Sequence, residues 1–191
     1  MKTIGRAIRV FLFMTVLAGV VYPLLVTGLA GLVFPHRAGG SLITLNDRPI
    51  GSKLLGQSFV DPKYFWPRPS VTNYSEMPSG GSNLGPTSND LREMITRRRE
   101  HLRATNDSAV EVPLDLLFAS ASGLDPDITP SSAHYQIERI VRARSLDQKA
   151  KTDIFILIEK HIETPNFGLL GEPRVNVLRL NLALDSLVRN R

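Results

Sequence analysis

Apolar and polar positions are distributed unevenly along this chain. Residues 10–35 form a run of 26 without a charge. As a helix rising 1.5 Å per residue the run is about 39 Å long, against a hydrocarbon core of roughly 30 Å. That length predicts a membrane-spanning helix with some tilt. A cleavable signal peptide and a buried core helix are the competing readings. A signal peptide has a shorter apolar centre and a small-residue cleavage site, and only Ala38-Gly39-Gly40 resembles one here. A core helix of this length is too long for so small a domain. Pro23 lies within the run and removes a backbone donor, so an interruption of the helix is expected there. Thr27 and Gly31, with Gly28 between them, make a small-residue stripe that permits close helix contact.

Beyond residue 36 the pattern becomes mixed. Residues 41–45 read as a strand, Asn46-Asp47-Arg48-Pro49 as a turn, and 50–57 as a returning strand. Residues 61–90 hold five prolines and three glycines and predict no long regular element. Tyr64, Phe65, Trp66 and Tyr74 make an ordered loop the better reading than a disordered linker. Residues 90–103 keep Leu91, Met94, Ile95, Arg98 and Leu102 on one helical face, with Thr87 or Ser88 as cap. Short helices are expected at 113–118 and from Thr129-Pro130 to about Arg144, and a longer one over 146–162, closed before Pro165. Over 175–185, Leu178, Leu180, Leu182 and Leu184 alternate with Arg179, Asn181 and Ala183, which reads as a strand with one buried face. The expected architecture is α+β: residues 1–9 cytoplasmic, 10–35 transmembrane, and 36–191 one mixed extracytoplasmic domain.

Charge changes this picture in one respect. The net charge of +5 hints at nucleic acid, but Lys2, Arg6 and Arg9 precede the apolar run and no acid occurs before Asp47. Residues 37–191 carry 20 basic and 18 acidic groups, so nucleic acid loses most of its support. The basic N-terminal cluster is an orientation signal that places the N-terminus in the cytoplasm.

Candidate chemistry is sparse. The absence of cysteine excludes disulfides, thiolate catalysis and cysteine-ligated metals. His36, His101, His134 and His161 lack metal-ligand spacing, so no metal site is expected. A hydrolase reading would use Ser122, Asp125 and His134, yet no Gly-x-Ser-x-Gly elbow is present. Gly80 and Gly85 have the glycine spacing of a phosphate loop, but Pro86 replaces its lysine. Ser79, Gly80, Gly81, Ser82 and Asn83 are candidates for an amide nest holding an anion, or for a tight turn needing positive φ. Residues 64–70, YFWPRPS, suit a carbohydrate or peptide platform, a docking surface with Tyr64, Phe65, Trp66 and Arg68, or a loop pinned to its own core by Trp66.

Several motifs in order resemble those of the C subunit of the bacterial Kdp potassium-transporting P-type ATPase. They are Tyr22-Pro23-Leu24, GQSF at 56–59, YFWPRPS at 64–70, SGGSNLGPT at 79–87, SASGLDPDITP at 120–130, GEPRVNVL at 171–178 and LNLALD at 180–185. One departure is Asp127, where that family often has His. The resemblance implies an accessory, single-span inner-membrane subunit with no catalytic residues of its own. Its partners would be the lipid bilayer and the pore-forming and catalytic subunits, which handle potassium and ATP. It also implies a role as catalytic chaperone for ATP binding, with Ser79, Gly80, Gly81 and Ser82 and polar positions such as Gln57 as nucleotide contacts; the expected topology places the loop at 79–83 away from cytoplasmic ATP. No cofactor of its own is expected. Pro23, Thr27, Gly28 and Gly31 are the docking candidates in the span. A membrane-anchored hydrolase or ligand-binding module is the alternative.

Overall fold

The computed structural model describes residues 2–75, 77–106, 109–165 and 167–189. The chain divides into two compact units, residues 1–52 and 53–191.

The first unit begins with a continuous helix, Lys2–Val33, of 32 residues, long and apolar enough to cross a membrane. It comprises α1 (Lys2–Val16), a π-turn (Leu17–Val21) and α2 (Tyr22–Val33). The π-turn answers the interruption expected at Pro23. The Tyr22 amide donates to the Leu17 carbonyl five residues back, and the widened turn relieves the clash that the proline ring makes with the turn before it. No residue of this helix is buried. A four-residue helix, α3 (Pro35–Ala38), follows, and then an antiparallel hairpin of β1 (Leu42–Leu45) and β2 (Arg48–Ser52). Asn46 and Asp47 both take positive φ, 51° and 60°, the two-residue turn that matches strand twist. The returning strand stops at Ser52, short of the expected Gln57.

The second unit is helical around a small antiparallel sheet. Its elements are α4 (Asn89–Thr105), α5 (Leu114–Leu117), β3 (Asp127–Ile128), α6 (Pro130–Tyr135), α7 (Ile137–Ala143), α8 (Gln148–His161), β4 (Ile162–Glu163), β5 (Arg174–Asn176) and α9 (Val177–Arg189). The sheet order is β3-β5-β4. Ser88 and Thr129 cap α4 and α6 through their side-chain oxygens, as expected, and Asp147 does the same for α8. The helix expected from Thr129 to Arg144 is broken at Gln136.

The strand expected over 175–185 is a correction: only Arg174–Asn176 pairs in the sheet, and Val177–Arg189 is helix. Leucine at every second position also supplies a helical face, because Val177, Leu178, Leu180, Asn181 and Leu184 are the buried residues. Leucine, arginine and alanine are strong helix formers, and no β-branched residue occurs between Val177 and Val188.

The main core joins Val175 of β5, Ile140 of α7, Ile154 and Ile158 of α8, and Leu180 and Leu184 of α9, all 0% exposed. A second cluster gathers Leu102, Val112, Leu116, Leu117 and Tyr135, with Trp66 and Ile95 packed against it.

Candidate functional site

The long irregular segment between Lys53 and Ser88 is held as tightly as a strand, though by side chains. Asn181 of α9 accepts from the Phe65 amide (2.8 Å) and donates to the Phe65 carbonyl (3.0 Å). Gln136 treats Trp66 identically, accepting from its amide (2.7 Å) and donating to its carbonyl (3.1 Å). Two carboxamides thus replace the neighbouring strand that extended backbone ordinarily needs. Phe65 enters the main core and Trp66 the second cluster, so consecutive residues tie both cores together.

Arg139 completes the clamp. It is 3% exposed and, among the described residues, has no carboxylate within ion-pair distance. It donates to the carbonyls of Pro62 and Tyr64 and to Gln136 Oε1 and Asn106 Oδ1, and it lies 3.7 Å from the centre of the Trp66 ring. Burial lowers its pKa to about 9, which leaves it a cation at neutral pH.

Three glycine-containing loops converge next to this clamp. The Gly56 amide donates to the Leu124 carbonyl (2.7 Å), the Gly80 amide to the Ser122 carbonyl (2.9 Å), and the Ser120 amide to the Pro69 carbonyl (3.0 Å). The packing is close enough to need glycine. A Cβ on Gly56 would lie 2.5 Å from the Asp125 carbonyl oxygen. Gly123 has φ 71° and a Cβ there would lie 2.5 Å from Thr72 Oγ1. The motifs at 56–59, 79–87 and 120–130 are therefore one structural junction.

This junction revises the reading of Ser79, Gly80, Gly81, Ser82 and Asn83. The positive φ falls on Asn83 (53°) and not on Gly80 or Gly81. Gly81 is small because a Cβ would approach the Ala121 carbonyl oxygen at 3.1 Å. The Gly80 amide, which an anion nest would need, is already donated to Ser122.

Of the docking candidates at 64–70, Phe65 is 0% exposed and presents no surface to a partner, a correction to its expected role. Tyr64 is half-buried and donates to Asp185 (3.0 Å). Arg68 pairs with Asp125 at 2.8 Å and accepts at its carbonyl from Tyr74. Burial pushes the Tyr74 phenol up to about 12. Trp66 stays half-exposed, stacked on His101 at 5.5 Å, and lines a cavity of about 170 Å³ with Pro67, Pro69, Arg98 and Leu116. In the span, Thr27, Gly28 and Gly31 are exposed, and nothing lies within 4 Å of where a Cβ on either glycine would stand.

The residues of the hydrolase reading are engaged separately. Ser122 Oγ accepts from the Leu124 amide, Asp125 holds Arg68 and the Asp127 amide, and His134 stacks on Phe155 with its Nε2 3.1 Å from Glu159. Among the described residues no group of three His, Cys, Asp or Glu is placed to hold a metal. A cleft of about 230 Å³ beside the junction is lined by Arg68, Asp115, Asp125, Asp127, Glu172 and Arg174. Arg174 bridges Asp127 (3.1 Å) and Glu163 (3.4 Å). Burial raises the Asp127 carboxyl, while Lys53, with Arg174 and Arg179, lowers that of Glu163.

Sequence reasoning passed over Gln136, Asn181, Arg139 and Asn106. The available signal was a polar residue on an otherwise apolar helix face, as Asn181 among the leucines of α9.

The K+-transporting ATPase c chain family matches residues 4–186. Among its relatives, the potassium-transporting ATPase KdpC subunit of Variovorax paradoxus is 49% identical over 189 residues, covering 97% of this chain and 96% of its own length. That of Polaromonas naphthalenivorans is 50% identical over 192 residues, with 98% and 96% covered. That of Dechloromonas aromatica is 48% identical over 191 residues, with 97% and 98% covered. The chain belongs to the KdpC family, the c chain of the K+-transporting ATPase, a subunit of that complex and not its catalytic chain.

Proposed function

We propose that this subunit supports assembly and activity of the potassium-import complex as a single-span inner-membrane protein. Its N-terminus is cytoplasmic and its α+β part, residues 36–191, extracytoplasmic. The helix Lys2–Val33 packs against spans of the pore-forming and catalytic subunits through the stripe of Thr27, Gly28 and Gly31, beside Pro23. The loops at 64–70 and 79–87 dock at the pore mouth through Tyr64, Trp66, Arg68 and the exposed part of 79–87. The observation that carries this reading is the helix itself: it is 32 residues long, apolar, and has nothing of its own chain covering it. Potassium and ATP are handled by the other subunits. Direct nucleotide contact by residues 79–83 is disfavoured on two grounds, the donated Gly80 amide and a location across the membrane from ATP.

The chain contains no cysteine, so introduced ones are unique within it. A membrane-impermeant maleimide applied to intact cells with a permeabilised outer membrane is expected to label Lys149→Cys, which is exposed and outside the docking loops, and to spare Thr3→Cys. The reverse pattern overturns the topology.

A further inference from the structure

The connection from β4 to β5 carries no charge over residues 164–171. It presents Phe167, Leu169 and Leu170 at 94%, 87% and 64% exposure. Single exposed leucines are ordinary, but three large apolar side chains on one loop tip form an adhesive surface. The tip is shaped: Phe167, Gly168 and Gly171 have φ of 55°, 73° and 96°, and the Gly168 amide donates to the Pro165 carbonyl (3.0 Å). Directly after it in sequence, Glu172, Pro173 and Arg174 line the 230 Å³ cleft together with Asp115, Asp125 and Asp127. Four acids against Arg68 and Arg174 leave the cleft with a formal balance of −2. Arg68 is taken by Asp125 and Arg174 by Asp127. Asp115 accepts from Thr129 and Ser132. Among the described residues Glu172 at the rim has no ion pair.

We infer that the tip at 167–170 and the acidic cleft form one docking surface for another subunit of the complex. The matching segment presents an apolar pocket beside a Lys or Arg that enters the cleft and meets Glu172. The inference rests on the reading of this chain as a docking subunit. Charge decides between a protein and a bilayer as occupant. Loops that dip into anionic bilayers are flanked by free basic residues. Here the cations that flank the cleft, Lys53, Arg174 and Arg179, are all bound to Glu163 or Asp127, and the cleft is net negative. Apolar anchors ringed by complementary charge are the ordinary anatomy of a protein interface.

The test is a benzophenone amino acid in place of Leu169 in the full complex, irradiated after purification. An adduct with another subunit is expected. An adduct with lipid alone, or none in a complex that has assembled, overturns this surface while leaving the docking reading intact. If the wild-type chain fails to co-purify with the other subunits, the docking reading falls and this inference with it. Glu172→Lys is expected to lower recovery of the partner subunits by about fivefold or more, at an unchanged unfolding temperature because the site is exposed. Unchanged recovery overturns the role of the cleft.

Discussion

Arg139 shows how a charge can serve as a structural strut. A guanidinium has five donors in a fixed fork, and here they meet two backbone carbonyls and two carboxamide oxygens while the plane lies on Trp66. Among the described residues no carboxylate is hydrogen-bonded to it, so its donors hold the backbone at Pro62 and Tyr64 and the carboxamides of Gln136 and Asn106. Removing it takes a donor from each of those acceptors, two of them on the buried side chains of Gln136 and Asn106. Arg139→Met is therefore expected to destabilise the fold by about 3–5 kcal/mol, the range for deleting one partner of a buried charged network. Arg139→Lys should recover little, because an ammonium cannot span the fork geometry. Thermal or urea unfolding of both variants measures this. A loss below about 1 kcal/mol in Arg139→Met would mean that Gln136 and Asn181 hold the segment without it.

Helix α9 is the element where pattern and structure part. Period two in leucine is ambiguous when the row also satisfies a helical face, and the local propensity of Leu, Arg and Ala decides for helix. The two readings differ in what they ask of Leu182 and Leu184. A strand with one buried face makes the two equivalent; the helix buries Leu184 completely and leaves Leu182 half-buried. Leu184→Ala is expected to cost about 2–5 kcal/mol in unfolding experiments and Leu182→Ala less than about 1 kcal/mol; equal losses would restore the strand. The helices α4 and α6 are legible because Ser88 and Thr129 carry their capping signal locally. The motifs at 56–59, 79–87 and 120–130 were legible as loops but not as a single junction. The bonds that join them, Gly56 to Leu124 and Gly80 to Ser122, link backbone atoms more than forty residues apart, and sequence pattern has no local mark for them. Phe65 was misread for the same reason: an aromatic in a proline-rich loop looks available until the carboxamide clamp that turns it inward is known.

At the scale of the molecule, hydropathy and charge are segregated. The greasy span and three of the cations lie in the first 35 residues, and the remainder is nearly balanced. A helix of 32 residues is about 48 Å long, more than a hydrocarbon core of roughly 30 Å requires, so on the proposed topology its basic end would extend into the headgroup region. Within the bilayer, apolar side chains gain nothing by leaving lipid for one another, and helix association depends on close backbone approach. In the proposed packing Gly28 and Gly31 would provide that approach, and nothing beyond their own helix lies within 4 Å of where a Cβ on either would stand. Substituting them by leucine should thus leave this chain's fold untouched while blocking contact with a neighbour. In detergent-extracted complexes, Gly28→Leu with Gly31→Leu is expected to reduce co-purification of the partner subunits by about tenfold, equivalent to ~1.4 kcal/mol. A far-ultraviolet spectrum matching wild type separates lost packing from lost folding. Full co-purification of the double variant would place the contact elsewhere, with the outer loops carrying assembly and the span serving as a tether.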